Sequence, residues 1–212
     1  MKINLTILFV CMMTWTNASF AEENIIGFSI GPVLKPSLFE KDFVVMTGVK
    51  TGITFNHTYY IGIGFYGITF DSYFPNLKDK LYNLEPSLEM SCLGLDLEYY
   101  FGSGNELYPS FELLGGLSLI KFEIPNYEDE TTKILYQPSY KNNKMFFFIE
   151  PGANINIAFK NFYKITFGVS YRLMFINNEL IPDIQRNNSD YFLSDADVNG
   201  LSLNLSIRFG QF

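Results

Sequence analysis

The chain has one histidine, His57, and two cysteines, Cys11 and Cys92, so nucleophilic or acid–base chemistry would have to draw on very few groups. His57 could serve as a base only with a nucleophile within hydrogen-bond reach. It lies in Asn56-His57-Thr58, a tight-turn sequence, and reads as a solvated turn residue. Asp96 and Glu98 stand two apart, which puts both carboxylates on one face of a strand. Paired acids of that kind can do proton chemistry, but basic residues of matching parity give these a structural role more simply. Cys92 shares their face and reads as a small buried filler. Asp195-Ala-Asp197-Val-Asn199-Gly200 matches the first half of a calcium loop, yet Ser206 occupies the twelfth position, where a bidentate Glu belongs. The reading is therefore no metal site, with Asp195, Asp197 and Asn199 the candidate ligands if there is one. Gly62-Ile-Gly64-Phe-Tyr-Gly67 matches the dinucleotide fingerprint, but no helix follows it. Gly62 and Gly64 instead leave interior room for a bulky neighbour. No cofactor is expected.

The elements that would hold these groups are strands. Eight stretches alternate apolar and polar residues, at 25–34, 43–55, 59–70, 91–101, 108–121, 145–159, 162–175 and 201–209. Each is long enough to cross a bilayer as a tilted strand, which takes about 9 to 11 residues. The second, fourth and sixth links are short: Asn56-His57-Thr58, the residues around Gly102 to Glu106, and Lys160-Asn161. The third, fifth and seventh are long and polar, and the first, Lys35 to Asp42, is of intermediate length. Short links on one side and long ones on the other describe an eight-stranded antiparallel up-and-down transmembrane β-barrel, all-β in class.

Parity then sorts side chains into two faces. In the fourth run Leu93, Leu95, Leu97, Tyr99 and Phe101 oppose Cys92, Gly94, Asp96, Glu98 and Tyr100. A soluble sandwich also alternates. The apolar face here, however, is continuous over seven positions in the run from Tyr163, which a soluble protein would have to cover entirely. The polar face carries charges that a sandwich core would not tolerate. By parity the lumen holds Lys50, Lys164, Arg172 and Arg208 against Asp96, Glu98, Glu112 and Glu150. Charges in a narrow interior persist when paired, and eight strands enclose little more than their own side chains. These groups, with Asn154, Asn156, Tyr60 and Tyr66, are expected to plug the barrel.

The ends of the chain fit an exported protein. Met1-Lys2, an apolar run from Leu5 to Met13 and Ala18-Ser-Phe-Ala21 before Glu22 make residues 1–21 a cleavable signal peptide. Removing 21 of 212 residues leaves 191, one barrel domain over residues 22–212. Cys92 is then the only cysteine, so no internal disulfide is expected. The 22 Phe and 14 Tyr of the chain gather partly beside the short links, at Phe55, Tyr59, Phe101, Phe159 and Tyr163, where interface girdles belong. The last strand, Leu201-Ser-Leu-Asn-Leu-Ser-Ile-Arg-Phe-Gly-Gln-Phe212, ends in Phe. Phe212 departs from the parity of Leu203 to Phe209, and a bulge or bend at Gly210 would reconcile them.

With its leader, eight strands and terminal Phe, the chain resembles the small OmpA/OmpX/OmpW-like outer-membrane barrels. The resemblance implies a bacterial outer-membrane location, contact with lipid and lipopolysaccharide, and recognition of the strand ending at Phe212 by the assembly machinery. Some small outer-membrane barrels modify lipid A with a His and a Ser near the outer rim, but the topology puts His57 at the opposite end. That reading ranks last. A second reading is OmpW-like passage or binding of a small apolar molecule, with Ile68, Phe70, Leu114 and Met174 lining a cavity. The first is a closed, non-enzymatic barrel serving envelope structure or surface interaction through loops 72–90, 122–144 and 177–200. Tyr127, Tyr136, Tyr140 and Tyr191 are its candidate contact residues. The acidic balance, formally −7 over the whole chain, argues against nucleic acid as a partner.

Overall fold

Unbroken alternation makes strands of this chain, and every long strand pairs with two neighbours in a computed structural model. The structure describes residues 26–39, 42–69, 87–102, 106–124, 127–128, 135–136, 140–159, 162–176 and 198–210. Eight long strands close a barrel: β1 (Ile26–Phe39), β2 (Asp42–Phe55), β3 (Tyr59–Ile68), β4 (Ser87–Tyr100), β5 (Leu107–Ile124), β8 (Tyr140–Phe159), β9 (Tyr163–Phe175) and β10 (Gly200–Gly210). All neighbours run antiparallel, and β1 meets β10 to complete the ring. Two short strands, β6 (Tyr127–Glu128) and β7 (Leu135–Tyr136), pair with each other between β5 and β8.

Ser29 pairs with Gly52, Gly52 with Gly62, Gly62 with Asp96, Asp96 with Leu114 and Leu114 with Glu150. Continued through the β8–β9, β9–β10 and β10–β1 registers, this path returns to β1 at Phe39, ten residues above its start. The climb is the stagger a closed barrel needs, and it tilts every strand against the axis. It also decides which inward side chains share a level, which no single strand reveals.

One end of the barrel carries the short turns. Asn56 and His57 have φ of 49° and 52°, and the Thr58 N–H donates to the Phe55 carbonyl at 2.9 Å. This is the left-handed two-residue turn that suits strand twist. Aromatic side chains cluster at this end, Tyr99 packing on both Tyr59 and Phe101, and Phe159 stacking on Tyr163.

The first link differs from the sequence reading. The sequence reading ends the first run at Leu34, yet β1 runs to Phe39 and only residues 40–41 separate it from β2. Proline forfeits a single N–H, on one side of its strand. The ladder from β1 to β2 is continuous, whereas that to β10 keeps Ser29, Ile30, Val33, Leu34 and Ser37 and skips Pro32 and Pro36. Lys35 and Asp42, assigned to a link by sequence, are therefore strand residues pointing inward. Strands also extend into two of the expected loops: β4 begins at Ser87, β5 reaches Ile124 and β8 begins at Tyr140. Residues 177–197, residues 1–21 that the sequence reading takes as a signal peptide, and Phe212 lie outside the described residues. Gly210 has φ of +149°, a conformation open to glycine, and closes β10 opposite Ser29.

Candidate functional site: the barrel interior

Inward residues have even numbers in every long strand but β1, where they are odd, and they divide into layers along the axis. Nearest the short turns, Tyr60, Tyr100 and Tyr108 pack together. Lys164 Nζ donates to the Tyr100 hydroxyl at 2.6 Å and lies 3.9 Å from Glu98. Glu98 also accepts hydrogen bonds from Arg208 at 2.5 Å, Ser110 at 2.7 Å and Tyr100 at 3.0 Å. The Arg208 guanidinium sits 4.8 Å from the Tyr60 ring centroid.

Above this, Lys50 is shared between Asp96, 3.1 Å away, and Glu112, to which it donates directly. Asn154 donates to the second Glu112 oxygen at 2.8 Å. Asn156 donates to Ser110 and accepts from Thr166, both at 2.8 Å. In the third layer Glu150 accepts from Lys35 at 2.5 Å, from Tyr66 and from Ser170. Each of these four acids thus has a cation within ion-pair distance, the pairing that makes buried charge tolerable.

Glycines make room for the long side chains. A Cβ on Gly62 would meet the Tyr60 ring and the Thr51 carbonyl, and one on Gly64 would meet Leu114. The bulky neighbours expected for these two glycines are thus Tyr60 and Leu114.

The fourth layer, toward the long links, is apolar. Phe39, Val44, Met46, Met90, Cys92, Leu114, Ile120, Phe148, Met174, Ile176 and Val198 form one buried cluster with Tyr66, and Ile68 packs against it. Leu114 and Met174, expected to line a cavity in the OmpW-like reading, fill space in this cluster; Phe70 lies outside the described residues. A groove of about 630 Å³ bounded by Pro32, Leu34, Val49, Phe65, Leu205 and Ile207 opens on the outer face of the barrel.

The eight charged residues chosen by parity all lie in the interior, at most 4% exposed. Two charges that the sequence reading missed join them, Lys35 at 0% and Asp42 at 3%, making five cations and five anions among the described residues. Val33, Lys35, Ser37 and Phe39 continue the inward alternation, and that continuation was the available signal. Arg172 behaves differently from expectation. Among the described residues it pairs with no carboxylate: Nε donates to the Val198 carbonyl at 3.4 Å, Nη1 approaches the Met46 sulfur at 3.2 Å, and the guanidinium faces the Phe39 ring at 5.7 Å.

The other candidates are placed as follows. Cys92 is buried and donates to the Ser118 hydroxyl at 3.3 Å. His57 is in the turn beyond the tyrosine layer. Asn199 accepts the Met174 N–H at 2.6 Å through its side-chain oxygen, while Asp195 and Asp197 lie outside the described residues. Tyr127, Tyr136 and Tyr140 lie in β6, β7 and β8, and Tyr191 is outside the described residues.

The barrel shares its fold with solved outer-membrane β-barrels. Neisserial surface protein A matches with a TM-score of 0.55 at 9% identity, over 90% of this chain and 100% of that one. A major outer membrane protein from Thermus thermophilus matches with a TM-score of 0.57 at 11% identity, over 88% and 99%. No family model and no curated protein matches the sequence.

Proposed function

We propose that this chain is a non-enzymatic bacterial outer-membrane barrel, closed to solutes, that serves envelope structure or surface interaction from its long-link end. The observation that carries the reading is the inverted distribution of polarity. Phe147 and Phe43 are 68% and 64% exposed on the outside, whereas Arg172 and Arg208 are fully buried within. Hydrocarbon around the barrel accounts for both facts, and a soluble fold accounts for neither. The outward apolar row of β9 runs from Tyr163 to Phe175. At ~3.3 Å per residue and a tilt near 40° that row rises about 30 Å, the thickness of a hydrocarbon core.

Closure is supported by the paired charges, the apolar layer and the filled spaces beside the inward glycines. The likeness to solved outer-membrane barrels supports the location. Export by residues 1–21, recognition of the Phe212 strand by the assembly machinery and contact with lipopolysaccharide belong to this reading. So does display of the segments between β3 and β4, β5 and β8, and β9 and β10 as binding surfaces. Single-channel recording of refolded residues 22–212 in planar bilayers tests it. The expected result is no steady conductance, and a reproducible open level in the wild type would sink the closed reading.

A further inference from the structure

The outer face of the barrel is set with large apolar side chains, and beside the seam between β1 and β10 they leave a depression. This is the groove of about 630 Å³, which crosses β10, β1, β2 and β3. Pro32, Val49 and Phe65 are register neighbours across β1, β2 and β3, and Leu34 pairs with both Thr47 and Leu205. The outward side chains of Pro32 and Thr47 are short, whereas Phe65 and Ile207 stand at opposite flanks. Val33, Gly48 and Ser206 belong to the inward rows and still line the groove, so main chain forms its floor. It lies where the β1–β10 ladder skips Gly31 and Pro32.

Chemistry and position choose the occupant. No charged side chain lines the groove, and the Thr47 hydroxyl is already bonded to that of Thr69, so the lining offers a headgroup no ionic partner. The exposed apolar rows run from Ile26 to Leu38 on β1 and from Leu201 to Phe209 on β10. Pro32 and Leu205 are therefore at mid-belt, a depth that lipid chains reach and headgroups do not. The volume falls within the roughly 300–1,000 Å³ of small-molecule sites. A second copy of the barrel would need about 20–30 residues a side for a stable interface, far more than bound this groove.

We propose that the groove is a site for one phospholipid acyl chain, held against the β1–β10 seam longer than the lipid that coats the rest of the barrel. The proposal rests on the outer-membrane reading and names a partner within it. Lipid tails are as apolar as leucine, so what distinguishes one place on the wall from another is packing. Rows such as Leu93, Leu95 and Leu97 protrude and touch a chain from one side. In the groove a chain meets main chain beneath it and Phe65 and Ile207 on its flanks, and an empty groove would forfeit those contacts. The bound chain also backs the wall from outside at the level where the ladder loses a rung.

Native mass spectrometry of refolded residues 22–212, in mild detergent doped with palmitoyloleoylphosphatidylethanolamine, tests this. Wild type should retain one phospholipid per barrel at detergent levels that strip the rest. Replacing the headgroup with glycerol should leave that occupancy unchanged, and a strict headgroup requirement overturns the proposal. Val49→Phe and Leu34→Phe, which fill the groove, should each lower occupancy at least about tenfold, while Leu95→Phe on β4 should not. A barrel that keeps no phospholipid, or a graded series lowered equally by all three variants, leaves only an ordinary lipid coat and overturns the site. Retention of a second barrel in place of lipid, or displacement of the phospholipid by equimolar lipopolysaccharide, overturns it in favour of that occupant. Should both filled variants fail to fold, the wild-type stoichiometry still decides. Failure of the wild type to insert into bilayers would defeat the outer-membrane reading itself, which is a separate failure.

Discussion

Replacing Lys35 with Met tests the interior electrostatics most directly. Lys35 and Glu150 are 0% and 1% exposed, so solvent does not screen their contact. Removing one member of a buried pair costs about 3–5 kcal/mol, because the survivor stays charged and unpaired. Glu150 would keep Tyr66 and Ser170 as donors, which puts Lys35→Met near the lower figure, ~3 kcal/mol. Adding Glu150→Gln removes the stranded charge, so the double variant should recover about 2 kcal/mol of that loss. Lys121 and Glu89 form the control pair, with side chains 44% and 67% exposed. Lys121→Ala there should cost less than about 1 kcal/mol. The assay is reversible urea unfolding in lipid vesicles, followed by tyrosine fluorescence because the only tryptophan, Trp15, lies in the segment read as the leader. If Lys35→Met costs no more than Lys121→Ala, or the double variant is worse than the sum of its parts, the reasoning fails.

Arg172→Met should cost less than Lys35→Met in the same titration, since Arg172 pairs with no described acid and its site is lined by Met46, Phe39 and Val198. A larger loss would show that its field on Glu150 matters more than its contacts. Gly64→Ala should stay within about 1 kcal/mol of wild type, because the added carbon meets only side-chain atoms of Leu114 and Lys50. Gly62→Ala drives its carbon into the Thr51 carbonyl and the Tyr60 ring and should cost about 1–3 kcal/mol, read from the shift in urea midpoint. Cys92 should resist a maleimide in the folded barrel over a period that labels the urea-unfolded chain completely, measured by intact mass. Rapid labelling of the folded form would place the thiol outside the packed layer.

Period-two alternation made much of this interior legible in advance. It points inward the eight charges Lys50, Asp96, Glu98, Glu112, Glu150, Lys164, Arg172 and Arg208, because neighbouring side chains in a strand must take opposite faces. It cannot say which of them meet. Lys50 on β2 reaches Asp96 on β4 and Glu112 on β5 only because the ladders are staggered around the ring, and that stagger is a property of all eight strands at once. Lys35 was hidden for a different reason. Each proline of β1 lacks one N–H, which can face only one edge of its strand, and sequence does not show that both face β10 and leave the ladder to β2 whole. Arg172 has the parity of an ion-pair partner, but its level in the barrel is set by β9 against Val198 and Met46, far apart in the chain.

The two prolines of β1 also bear on the chain before the ring exists. Until β10 arrives, β1 is the exposed margin of a growing sheet, and such margins recruit strands from other molecules. Pro32 and Pro36 remove donors from the side that will face β10, and Lys35 places a charge between them on the inward face. Those features discourage a stranger from pairing there, while β10 can still dock through Ser29, Ile30, Val33, Leu34 and Ser37. The finished ring retains the trace of that protection as its most thinly stitched seam.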